Sequence, residues 1–108
     1  MRNYVFIKNK DALNIVEQAF EGLTATTVQF SQNRKGNVIT FTNSYWVHRL
    51  RDYVEAERNE IAFDLAVVGM SEEEKESATK LVRSLDRIAG ELAKISHEFR
   101  VRGDYQTT

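Results

Sequence analysis

Between Ala78 and Phe99 the chain sets apolar residues at Ala78, Leu81, Leu85, Ile88, Leu92, Ile95 and Phe99, a spacing of three and four that runs unbroken for three heptads. That spacing keeps one stripe of a helix apolar and commits it to packing against another helix. No catalytic motif of comparable clarity occurs in the sequence, and the expectation is a small α+β domain built for association.

A chain of 108 residues is one domain with room for one modest core. With 42% hydrophobic and 29% charged residues it belongs with globular rather than disordered chains. No stretch approaches the roughly 18 apolar residues of a membrane span. The N-terminal MRNYVFIKNK lacks the apolar run of a signal peptide, so a cytoplasmic location and no membrane partner are expected. The absence of cysteine removes disulfides, thiolate nucleophiles and thiolate metal sites together. The absence of proline leaves every turn to Gly, Asn, Asp or Ser. Charge is unevenly spread: residues 1–51 hold seven Lys/Arg against three Asp/Glu, whereas residues 52–108 hold eight against thirteen.

Three units are predicted: a β-α-β-β part over 1–43, a helical hairpin over 44–102, and a short tail over 103–108. Tyr4 to Lys8 is aromatic and β-branched, a strand, after which Asp11 can cap a helix carrying Leu13, Val16, Ala19, Phe20 and Leu23 on one side. TTVQFSQ and NVITFTN then flank the turn NRKGN, a β-hairpin with Gly36 available for a positive φ. Alternation puts Val28 and Phe30 on the inner face of one strand and Ile39 and Phe41 on that of the other. After Asn43 the period changes to 3.6. Ser44 can cap a helix striped by Val47, Leu50, Val54, Ile61, Leu65 and Val68, and Gly69 supplies the stop. Ser71 with Glu74 forms a capping-box signature that opens the last helix, and the short link requires an antiparallel helical hairpin. A helix of about 30 residues spans about 45 Å, more than twice a short strand, so the hairpin is expected to overhang the sheet.

The overhang bears most on function. Ala56, Phe63 and Val67 fall on the side of their helix opposite the Ile61 stripe, with Ala62 and Ala66 widening the patch. Two apolar faces at the end of the hairpin predict a second copy packing there, a two-fold homodimer forming a four-helix bundle. The alternative cover is the N-terminal helix of the same chain. The tip collects Glu60, Asp64, Glu72, Glu73, Glu74 and Glu76, and the base collects Arg49, Arg51, Arg87, Lys94, Arg100 and Arg102. An antiparallel dimer brings acidic tip to basic base, and a basic partner protein could use the same acids. Part of the pattern is simple helix-dipole matching at the two ends of the last helix.

Little points to chemistry. The inward Glu-x-x-His pattern of carboxylate metal sites is absent, and His48 and His97, the only imidazoles, are expected on outward faces. Glu57, Glu60 and Asp64 lack a neighbouring nucleophile or oxyanion donor in the pattern, and the single glycine of NRKGN is far from a phosphate-cradling loop. No metal, cofactor or enzymatic activity is implied. Nucleic acid is the better rival: Arg34 and Lys35 at the hairpin turn, and Trp46, Arg49 and Arg51 beside Tyr45 at the start of the next helix, place cations near aromatics, as do Tyr4 and Phe6 on the first strand. A pI near 6.1 and the lack of any helix-turn-helix, zinc-finger or RNP-like pattern weigh against it. Arg102-Gly103-Asp104 reads as a helix end, with Gly103 as the stop.

The reading is therefore a non-catalytic protein–protein interaction module, a homodimer through its hairpin that docks on another macromolecule. An inhibitor or accessory protein of the kind carried by phages or mobile elements fits that description. The interface residues are Phe63, Val67 and Met70 with the rim Glu60, Asp64, Glu73 and Glu76. A small-ligand-binding domain is a further alternative.

Overall fold

The computed structural model describes residues 2–21, 28–34 and 36–102, and it has the expected order β-α-β-β-α-α. The elements are β1 (Tyr4–Ile7), α1 (Lys10–Ala19), β2 (Val28–Asn33), β3 (Gly36–Phe41), α2 (Ser44–Val67) and α3 (Glu72–Arg102). The tail from position 103 and the residue Lys35 lie outside the described residues.

The three strands form one antiparallel sheet in the order β1-β3-β2. In β2–β3, Asn33 stands opposite Gly36 and Val28 opposite Phe41, which leaves a two-residue connection at positions 34 and 35. Gly36 has φ +135°, a region closed to most L side chains, and a Cβ there would stand 3.1 Å from the Ile7 carbonyl oxygen. The backbone angle favours glycine, and the nearby carbonyl adds to that preference. In β1–β3, Val5 opposes Ile39 while Tyr4 and Phe6 oppose Thr40 and Val38. Strand alternation then gives the sheet two unlike faces. Val5, Ile7, Val28, Ile39 and Phe41 point to the helices and are buried. Tyr4, Phe6, Gln29, Ser31, Val38 and Thr40 share the other face, and none of them is fully buried.

One core joins that inner face to Ala12, Val16 and Phe20 of the α1 segment, Val47, Leu50 and Val54 of α2, and Leu85, Ile88, Leu92, Ile95 and Phe99 of α3. α2 and α3 are tied across the hairpin by Arg58 and Asp86, Nε to Oδ1 2.8 Å. β1 is tied to α3 by the Arg87 guanidinium donating to the Phe6 carbonyl at 2.6 Å and by the Arg2–Glu91 ion pair. These contacts run β1 antiparallel to α3, since Arg2 meets position 91 and Phe6 meets position 87.

The overhang is present. The long axis of the molecule measures 46 Å, the length of α3 at 1.5 Å per residue. The fully buried residues of α2 end at Val54, and those of α3 begin only at Leu85. Beyond them Ile61, Leu65, Ala78 and Leu81 are half-buried, because each helix there has the other for cover and no sheet behind it.

Several local expectations need correction. Asn9, not Asp11, caps α1: its Oδ1 accepts from the Ala12 N–H at 3.0 Å, so the helix starts two residues earlier. α1 ends at Ala19, since the Phe20 and Glu21 N–H groups turn back to the Glu17 and Gln18 carbonyls in a tightened last turn, and Leu23, expected on the same helix, lies outside the described residues. Asn43, not Ser44, caps α2, its Oδ1 accepting from the Tyr45 N–H at 3.0 Å. α2 stops before Gly69, because Val68 is already extended at φ −93° and ψ 137°, and Gly36 is the one described glycine with positive φ. Phe30 lies on the inner face but is 46% exposed: β2 is the outer strand, and the edge-to-face ring of Phe20 at 5.6 Å shields it only in part. The capping box is as expected. Ser71 Oγ accepts from the Glu74 N–H at 3.2 Å, and Glu74 Oε1 accepts from the Ser71 N–H at 3.1 Å.

Candidate functional site

Phe63 and Val67 sit four positions apart on α2, one above the other on the same helical face, beyond the reach of the sheet. They are 64% and 61% exposed, and Val68 beside them is 48% exposed. Burying a side chain of this size stabilises by about 1.5–3 kcal/mol, so Phe63 and Val67 left in water one turn apart form an apolar patch, and Val68, expected on the Ile61 stripe, is exposed because the helix ends before it. Glu60 and Asp64 each stand three positions before one of these apolar residues, which places a carboxylate beside each.

The other expected interface residues divide. Met70 is half-buried and lines a depression with Asp11 at the start of α1 and Glu73, Glu74, Ser77, Ala78 and Leu81 of α3. Phe63 and Val67 do not line it. α1 therefore reaches the Met70 side of the tip and leaves the Phe63 side open. Glu76 pairs with Lys80 at 3.2 Å and Glu72 approaches Lys75 at 3.8 Å, both within α3. The Ser71 N–H and hydroxyl hold the Glu74 carboxyl below the usual glutamate range, so Glu74 keeps its charge further into acid.

The residues expected for nucleic acid are not gathered in one place. Arg34 is at the turn end of β2–β3, whereas Trp46, Arg49 and Arg51 follow the opposite end of β3, a strand length of about 20 Å away. Trp46 closes the core, edge-to-face with Phe20 at 5.8 Å and with Tyr45 at 4.9 Å. Arg49 lies over the Tyr45 ring at 5.8 Å, and Arg51 is paired with Glu55 at 3.0 Å. Tyr4 and Phe6 do share a surface, with ring centroids 5.6 Å apart on the outer face of the sheet, and the Arg2 guanidinium lies 5.4 Å from the Tyr4 ring centre. Arg2 and Lys8 were legible as partners of those rings through the alternation Arg2-x-Tyr4-x-Phe6-x-Lys8, which the strand period of two projects to one side.

His97 is exposed. His48 is exposed too but does not face away from the hairpin: its Nε2 is 3.2 Å from Ser96 Oγ, a hydroxyl on a buried residue of α3, because position 48 borders the seam where the two helices meet. Among the described residues no three His, Cys, Asp or Glu side chains are grouped to hold a metal ion, and no helix is long and apolar enough to cross a membrane. In comparisons with protein families, curated proteins and solved structures, the chain matches none.

Proposed function

We propose that this protein is a non-catalytic interaction module that pairs with a second copy of itself through the outer side of the hairpin tip. The observation that carries the reading is the exposure of Phe63 and Val67, on a helix segment that the sheet does not reach and α1 does not cover. Charge supports a second copy as the occupant. Glu60, Asp64, Glu73 and Glu76 surround one end of a 46 Å rod while Arg49, Lys94 and Arg100 belong to the other. Two rods laid antiparallel about a two-fold axis set each acidic end against a basic one and cover both Phe63 patches in the same step. The assembled hairpins then present a four-helix bundle flanked by two sheets, a shape suited to holding another macromolecule.

Light scattering after size exclusion, at micromolar concentration, tests the pairing. The wild type is expected at twice the chain mass, and Phe63→Asp at the monomer mass with unchanged helicity, since an interface closes poorly over an unpaired buried carboxylate. Retention of the dimer mass by Phe63→Asp removes Phe63 from the interface, and a monomeric wild type removes the homodimer.

A further inference from the structure

We propose that the outer face of the sheet binds single-stranded nucleic acid, with Tyr4 and Phe6 as stacking platforms and Lys8 and Arg34 as phosphate contacts. This surface is separate from the hairpin tip, and the two readings stand or fall independently. The β1–β3 register puts Tyr4 and Phe6 on the face away from the helices, because their neighbours Val5 and Ile7 are buried in the core. Tyr4 is 38% exposed and Phe6 partly so. The two rings meet edge to face, which leaves ring surface available for flat partners.

Cations bracket the rings. The Arg2 guanidinium lies over Tyr4 at one end of β1, Lys8 continues the alternation past Phe6 at the other, and Arg34 stands exposed at the adjacent turn. The sheet itself brings no carboxylate to them: the segments 2–8, 28–34 and 36–43 contain neither Asp nor Glu. All three acids of the first 51 residues, Asp11, Glu17 and Glu21, lie in or just after α1, which packs on the opposite face of the sheet. Glu91, the α3 acid that reaches this edge, is taken up by Arg2. The overall negative charge thus hides a sheet layer whose strands bring cations and no acids, with Lys8 and Arg34 in excess once Arg2 is paired with Glu91, and an anionic partner is the one whose charge it complements.

Geometry selects the single strand. Three strands at about 4.8 Å spacing make a platform about 10 Å across, flat and shallow, without a helix or ribbon to enter a duplex groove. Rings lying in such a surface meet base faces, which are accessible only when the bases are unpaired. Two rings accommodate about two bases. Across β3 on the same face, Gln29 and Ser31 offer donors and acceptors suited to base edges, which a purely apolar partner would leave unsatisfied.

Fluorescence anisotropy with labelled oligo-dT and oligo-rU of about 12 nucleotides, at about 50 mM salt, tests the assignment. Saturable binding is expected, weakening with salt as contact to about two phosphates requires. Tyr4→Ala should weaken it about tenfold or more, and Arg34→Glu should both weaken it and flatten its salt dependence. Absence of binding to both oligomers, equal affinity in Tyr4→Ala, or tighter binding of a duplex of equal length overturns the proposal. So does loss of binding confined to Arg49→Glu, which would move the contact to α2. Photocrosslinking of 4-thiouridine oligomers to the unmodified protein keeps the test valid should Tyr4→Ala fold poorly. Crosslinks in peptides spanning 2–8 or 28–34 support the face, and crosslinks found only in α2 and α3 overturn it.

Discussion

The two halves of the hairpin carry the same apolar spacing and reach different ends. Toward the base, Leu85, Ile88, Leu92, Ile95 and Phe99 of α3 meet Val47, Leu50 and Val54 of α2 with the sheet and α1 behind them, and all are buried. Toward the tip the same stripe continues through Leu81 and Ala78, opposite Ile61 and Leu65, and is only half-buried. A lone pair of helices encloses a seam from two sides, and a third layer is needed to exclude water from the rest. Heptad spacing therefore records which residues face a partner helix, and the layer behind that helix decides how deeply they are buried.

The largest expected effect comes from opening the base half. Leu92→Ala removes a fully buried side chain from the point where the hairpin meets the sheet and should cost about 2–5 kcal/mol in urea unfolding. Leu81→Ala makes the same chemical change on the same stripe near the tip and should cost about 1 kcal/mol, since a half-buried side chain returns less surface to water. Equal costs would mean that the tip is as well enclosed as the base, through pairing between copies or otherwise.

Gly36→Ala carries the comparison to the sheet. The positive φ and the Ile7 carbonyl 3.1 Å from the new Cβ should together destabilise by about 1–2 kcal/mol. A neutral result would show that the β2–β3 connection relaxes without cost.

The smallest effect belongs to the capping box at the acidic tip. The Glu74 carboxylate is held below its ordinary value of 4.5 by the Ser71 N–H and hydroxyl. Its contribution is present above that value and is lost as the pH falls through the lowered folded-state value. Circular dichroism should show the start of α3 fraying under acid, whereas Glu74→Gln, which keeps the hydrogen bonds without titrating, should remove that part of the pH dependence. An unchanged acid transition in Glu74→Gln would assign the fraying to other carboxylates.

Much of this arrangement is legible along the chain because it depends on near neighbours. The order of elements, the Ser71–Glu74 box, the turn at Gly36 and the two faces of each strand follow from periodicity and local hydrogen bonding over a few residues. Caps were harder to place. Asn9 and Asp11, or Asn43 and Ser44, are chemically similar neighbours, and the one that caps is the one whose backbone stays extended while its side chain reaches back. Among the surface residues, the exposed side of α2 at Phe63 and Val67 could be read from helical spacing. So could the separation of Arg34 from Trp46 and Arg49, because the strand between the turn and α2 sets them a strand length apart.

The sequence by itself determined which residues share a face, since a period of two or of 3.6 is a property of the backbone and needs no partner. Tertiary structure alone decided which faces are covered. Placing α1, α2 and α3 together on one side of a three-stranded sheet buries Val5 and Ile7 and leaves Tyr4 and Phe6 outward. Running a 31-residue helix past four- to six-residue strands leaves Phe63 and Val67 beyond the core. Burial is set by what lies across from a residue in space, and that depends on long-range packing that no local spacing encodes.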